Sequence, residues 1–149
     1  MKAVSIYIDT SIKGPRRRDG ACQYILSYHA ANGKVADMGG RILREGATEN
    51  QLALLGLEGA LKHLREPCAL CLYLECRHVA SAIKGKWYED WRYGGWMTAK
   101  GRPVSHAETW QSVAALLAAH EMEVRLEQEH PYREWLKLEL WRRRKEEGF

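Results

Sequence analysis

The sequence predicts an α/β fold, a five-stranded mixed β-sheet flanked by helices in the order β-β-β-α-β-α-α-β-α. Two observations carry that expectation. Runs of β-branched, aromatic and leucine residues with a period of two open the chain and return at 68–76 and 121–129, and segments of helical period separate the later strands. Three leading strands joined by short loops imply an antiparallel meander, whereas strands separated by helices imply parallel additions. With 149 residues, 46% hydrophobic and 28% charged, the chain fits one domain over 1–149 with its own core, and a disordered chain is excluded.

In order, residues 2–9 (KAVSIYID) form a first strand ending at Asp9, followed by a Gly-, Pro- and Arg-rich loop, TSIKGPRRRDG. CQYILSYHA is a second strand, NGK a hairpin turn, and KVADMGGRIL a weaker third strand whose glycine pair implies a bulge or a close backbone approach. At 48–64 the period changes: Thr48 caps, Gln51 stands three residues on, and Leu54, Leu57, Leu61 and Leu64 share one helical face. After Pro67, CALCLYLEC alternates as a fourth strand, and 77–95 opens as a helix and becomes Trp-rich. A polar loop (MTAKGRPVS) leads to a helix near 106–120, a fifth strand (EMEVRLEQE) and a basic final helix at 131–147.

No apolar run approaches the ~20 residues that a membrane helix needs, and the first residues turn polar by Asp9, too soon for a secretion signal. The expected location is the cytoplasm, with reduced cysteines and no membrane partner. The spacing of Cys68 and Cys71 invites a metal or redox reading. Side chains three apart on a strand point to opposite faces, however, so these thiols are read as small buried hydrophobes. A net charge of +4 permits a nucleic-acid partner without requiring one. Oligomeric state is not legible.

Several stretches resemble bacterial ribonuclease HI. Ile8-Asp9-Thr10-Ser11 is similar to that family's TDGS, Thr48-Glu49-Asn50-Gln51-Leu52 to the start of its TNNRMEL, and Leu74-Glu75-Cys76-Arg77-His78-Val79 to its TDSQYV. Most specific is the run with Trp87, Trp91, Gly95, Trp96, Met97 and Thr98, followed by Arg102-Pro103-Val104 and Trp110-Gln111. It resembles WxxxWxxxGWKT, KPV and LWQ, which mark the family's basic protrusion and the helix after it. The likeness runs from about residue 3 to 130 and implies an RNase H-like fold.

It also implies hydrolysis of the RNA strand of an RNA/DNA hybrid by two divalent metals, Mg²⁺ or Mn²⁺, held by four carboxylates. Two dications ~4 Å apart repel, and clustered carboxylates must offset that charge. Asp9 matches the first carboxylate position and Glu75 the third, one methylene longer than aspartate. The second position holds Ala53, and a shortened loop after His130 sets the fourth at Leu138 or Glu139. Glu49 lies one turn before Ala53, about 6 Å along the axis, and Glu58 is rotated off that face, so neither restores the set. The expected catalytic residues are Asp9, Glu75 and Glu139, with Asp9 and Glu75 as metal ligands, and the expected metal binding is weak.

For nucleic acid, the resemblance implies contacts from Asn50, Gln51, Lys84, Lys86, Trp87, Arg92, Trp96, Lys100 and Arg102. Trp87 and Trp91 are also four apart on a helix, the spacing of a packing pair. Glu89 and Asp90 make the protrusion less basic, and Glu49 puts negative charge near phosphates, so binding is expected to weaken. Arg16–Arg18 and Arg142–Lys145 are the strongest basic clusters, read either as solvated surface or as backbone contacts. His130 is either a surface residue or the counterpart of a mobile histidine that helps product leave.

The preferred reading is a ribonuclease HI-like protein that binds RNA/DNA hybrid or related nucleic acid, with weakened or lost hydrolysis. The alternatives are an active nuclease using Asp9, Glu75 and Glu139 or Glu134, and a non-catalytic protein-interaction module.

Overall fold

The β1 strand, Lys2–Thr10, lies at the centre of a sheet ordered β3-β2-β1-β4-β5. β2 (Arg18–His29) and β3 (Val35–Ala47) pair antiparallel, as do β1 and β2, while β4 (Cys68–Leu74) and β5 (Glu121–Leu126) add in parallel on the other side. The helices are α1 (Glu49–Leu61), α2 (Arg77–Lys84), α3 (Trp87–Tyr93), α4 (Ala107–Leu117) and α5 (Arg133–Arg143). This computed structural model describes residues 1–148. None of the described helices is long and apolar enough to cross a membrane.

The mixed sheet matches the expectation, and the meander turns as the sequence suggests. Gly33 takes a φ of 85° in the β2–β3 hairpin, closed by the Ala30 N–H bonding to the Lys34 carbonyl. The glycine pair of β3 is explained by a close approach rather than a bulge: a Cβ on Gly40 would meet the Tyr24 hydroxyl at 2.2 Å. The bulge falls instead between Arg18 and Gly20. Thr48 caps α1, its Oγ1 accepting from the Gln51 N–H at 3.2 Å. The 77–95 segment is two helices, so the molecule has one more helix than the sequence order implied. Gly85 ends α2, and Lys86 at φ 51° turns the chain before α3 begins. A left-handed lysine carries no sequence signal, so this break is not legible in the sequence.

One face of the sheet carries the main core. Val4, Ile6 and Ile8 of β1 and Leu70, Leu72 and Leu74 of β4 pack with Leu52, Leu54, Leu57 and Leu61 of α1 and with Val113 and Leu117 of α4. The period of two on β4 puts Cys68 in that core and Cys71 half-buried on the other face. There Tyr7 and Ile25 meet Leu136 of α5, and Tyr73 stacks on Tyr7 at 4.8 Å between centroids. The parallel register pairs Ile8 with Leu74, so Asp9 and Glu75, one step on, leave the sheet side by side toward α5.

Candidate functional site

Asp9 is 3% exposed, and four cationic contacts converge on it and on Glu75. Lys137 of α5 brings its ammonium to 3.3 Å from Asp9 Oδ2 and 3.3 Å from Glu75 Oε1, bridging the two carboxylates. Lys13, from the loop after β1, donates to Asp9 Oδ1 at 2.5 Å. Arg133, one turn before Lys137 on the same helical face, donates to Glu75 Oε1 at 3.0 Å and to Glu129 at 2.7 Å. Leu136 and Leu140, both buried, fix which way α5 faces and thereby aim Arg133 and Lys137 at the strand ends.

Burial pulls the Lys137 ammonium toward its neutral form, but the facing Asp9 and Glu75 carboxylates outweigh it and raise its pKa. The hydrogen bond to Glu75, followed by that to Glu129, likewise raises Arg133. Both side chains are held as cations.

This donor set does not fit a pair of dications. Two carboxylates face three cationic groups, so the negative charge that would offset a metal is already neutralised. A dication placed 4 Å from the Lys137 ammonium would meet a repulsion on the order of 8 kcal/mol at an effective dielectric near 20. Ala53, 1% exposed, lines the tight crevice between Asp9 and Glu75 and supplies no oxygen. Among the described residues no group of three or more His, Cys, Asp or Glu is placed to hold an ion.

Glu139 stands apart from this cluster: its partner is Arg142, at 2.7 Å. Glu49 is also engaged elsewhere, accepting from the Gly14 N–H at 2.9 Å. His130 is packed between Tyr7 and Tyr73, with ring centroids at 4.5 and 5.1 Å, and its Nδ1 accepts from the Tyr132 N–H. Burial lowers its pKa.

Beside the carboxylates, a groove of about 650 Å³ runs between the β1–β2 loop, the start of α1, α2 and the start of α4. Of the residues expected to meet nucleic acid, Asn50 and Trp87 line it. Asn50 Oδ1 accepts from the Cys76 thiol at 3.2 Å, and Trp87 is 37% exposed. Gln51 is half-buried in the first turn of α1. Lys84, Lys86, Arg92, Lys100 and Arg102 stand outside the groove on α2, α3 and the following loop. Trp96 packs half-buried against the core, while Trp87, Trp91 and Trp110 form an edge-on chain that docks α3 on α4. The expected packing pair is therefore present in Trp87 and Trp91.

Sequence reasoning missed the cations that matter most. Lys13, Arg133 and Lys137 at the carboxylates carry no signal in the motifs, and of the groove residues Arg17 stands out only as part of a basic cluster, Arg77 and His78 only within a matched motif. Arg133 and Lys137 at i and i+4 were a usable signal once α5 was expected to face Asp9.

A central strand flanked by an antiparallel hairpin and two parallel strands, with two acidic residues at the strand ends beneath the last helix, defines an RNase H-like fold. The RNase H family model matches residues 1–130, and the chain belongs to the RNase H family. It is 33% identical over 120 residues to ribonuclease H of Oleidesulfovibrio alaskensis, covering 80% of this chain and 74% of that protein. It is 35% identical over 118 residues to ribonuclease H of Paracidovorax citrulli, covering 79% and 74%. Among solved structures, LC9-RNase H1, described as a type 1 RNase H with the type 2 active-site motif, superposes with a TM-score of 0.78 at 19% identity, over 96% of this chain and 72% of that one. A foamy viral protease-reverse transcriptase in complex with RNA/DNA hybrid gives 0.67 at 13% identity, over 93% of this chain and 19% of that one. At these identities the two structures speak for the fold.

Proposed function

We propose that this chain is a nucleic-acid-binding member of the RNase H family that holds RNA/DNA hybrid, or a related duplex, without a two-metal centre and with hydrolysis lost. The observation that carries this reading is the Lys137 ammonium bridging Asp9 and Glu75, with Lys13 on the remaining Asp9 oxygen. A fixed monovalent cation balances the carboxylates but offers neither the activated water nor the paired charge that phosphodiester hydrolysis draws from dications. Nucleic acid is held along the groove, where Arg17, Arg77 and Asn50 meet phosphates and sugar edges, with support from Gln51, Lys84, Lys86, Trp87, Arg92, Trp96, Lys100 and Arg102.

The test is an end-labelled RNA/DNA hybrid incubated in EDTA, Mg²⁺ and Mn²⁺, with Asp9→Asn alongside. The expected result is no cleavage and a salt-dependent gel shift that is the same in EDTA and in Mg²⁺. Cleavage by the wild type that disappears in Asp9→Asn overturns the reading in favour of an active nuclease. Neither cleavage nor a shift overturns it in favour of a protein-interaction module.

A further inference from the structure

The three arginines after Pro15 divide between two recesses. Arg17 lines the groove described above, while Arg18 lines a separate hollow of about 450 Å³ together with Ser11, Ile12, Asp19, Arg144 and Gly148. The β1–β2 loop is therefore a ridge, with the groove on one side and the C-terminal end of α5 on the other. Sequence distance hides this, because the hollow brings the two strongest basic clusters of the chain, Arg16–Arg18 and Arg142–Lys145, to one place.

The wall beyond Arg144 is aromatic. Trp141 is 63% exposed, and the Arg144 guanidinium sits over its ring at 5.2 Å from the centroid. Leu138 and Trp135 continue an exposed apolar stripe back along α5 in steps of three residues. The exposed Trp135, Leu138 and Trp141 form an apolar stripe on a helix whose end runs into four consecutive basic residues. Of these, Arg142 and Arg143 pair with Glu139 and Glu147, and Arg144 faces Trp141. The charge beside the stripe selects an anionic occupant, and the flat indole selects one with π-faces. The carboxylate in the hollow, Asp19, is engaged by the Gly46 N–H at 2.9 Å.

We propose that this hollow and the Trp141 face form a second binding site, which takes a single-stranded nucleic-acid segment continuous with the duplex in the groove. Arg18 and Arg144 meet its phosphates, and a base stacks on Trp141. A duplex end or overhang crossing the β1–β2 ridge passes from Arg17 to Arg18 without leaving positive charge. Stacking on an aromatic side chain is sequence-tolerant, so the site reads strandedness rather than sequence. This inference rests on the proposed nucleic-acid binding and adds to it the substrate form: a hybrid with a single-stranded extension.

The experiment compares the affinity of a blunt RNA/DNA hybrid with that of the same hybrid carrying an eight-nucleotide single-stranded overhang at either end. The variants are Trp141→Ala, Trp141→Phe and Arg144→Glu, all at exposed positions. The wild type should prefer one overhang by about tenfold, the scale of one stacked base. Trp141→Ala and Arg144→Glu should erase that preference while leaving blunt affinity unchanged, and Trp141→Phe should keep most of it. An overhang preference that survives Trp141→Ala, or no preference in a protein that binds the blunt hybrid, overturns this inference alone. No binding to either probe overturns it together with the reading of the groove. Two other results also overturn it: a Trp141-dependent dimer in sedimentation, or Trp141-dependent binding to phosphatidylserine vesicles with no overhang preference.

Discussion

The ammonium of Lys137, on the last helix, stands 3.3 Å from the Asp9 carboxylate at the end of the central strand and equally close to Glu75. That one contact joins the two ends of the chain and balances the charge of an acidic pair in a fold whose relatives include ribonucleases H.

The bridge also stabilises the fold. Removing one partner of a buried ion pair costs about 3–5 kcal/mol, and the solvent exposure of Lys137 reduces this. Lys137→Met is expected to lower unfolding free energy by about 1–2 kcal/mol in urea titrations, with the m-value unchanged. An unaltered midpoint would mean that the lysine only decorates the site.

With both lysines removed, Asp9 loses its counterions while buried, and beside it Glu75 keeps only Arg133. The double variant Lys13→Ala/Lys137→Ala should gain thermal stability in millimolar Mn²⁺, by ligand linkage, where the wild type gains none. Equal responses from both proteins would show that the lysines do not compete with divalent ions.

On the proposed reading, hydrolysis is expected only when charge is changed at two places. Ala53→Glu alone forces a carboxylate into a tight crevice that already faces Lys137, and it should destabilise the protein without producing cleavage. Ala53→Glu/Lys137→Asp restores four carboxylate-bearing positions around the strand ends and should give Mg²⁺-dependent cleavage of an RNA/DNA hybrid. Cleavage by Ala53→Glu alone would show that Lys137 is no obstacle.

Stability should fall on acidification from just below pH 6.5. Burial lowers the pKa of His106, His120 and His130 in the folded state. Their contribution is therefore complete above the unfolded histidine pKa and is lost as pH falls through each folded value. His130, packed between Tyr7 and Tyr73, is the one to probe: His130→Gln should flatten the decline between pH 6.5 and 5 in denaturant titrations. An unchanged slope would assign the decline to the other groups.

Much of this was legible in the sequence because it rests on periodicity. The alternation in CALCLYLEC placed Cys68 and Cys71 on opposite faces, and the leucine spacing after Thr48 gave α1 its buried side. The position of Asp9 followed from the first strand's end, and that of Glu75 from the fourth. The cations did not follow. The shortened loop after His130 leaves the α5 register open between Leu138 and Glu139, neither of which is Lys137, one residue earlier. Only the packing of Leu136 and Leu140 settles which face of α5 meets Asp9. The meeting of Arg18 with Arg144 depends on how the chain's two ends fold back on each other, which no local pattern records.

The most direct test of the account is a calorimetric titration of the wild-type protein with Mn²⁺ at neutral pH, repeated on Asp9→Asn. The account predicts no saturable heat from either protein in the micromolar to low-millimolar range, because Lys13 and Lys137 already neutralise Asp9 and Glu75. Stoichiometric micromolar binding by the wild type, abolished in Asp9→Asn, would contradict it and return the chain to the metal-dependent nucleases.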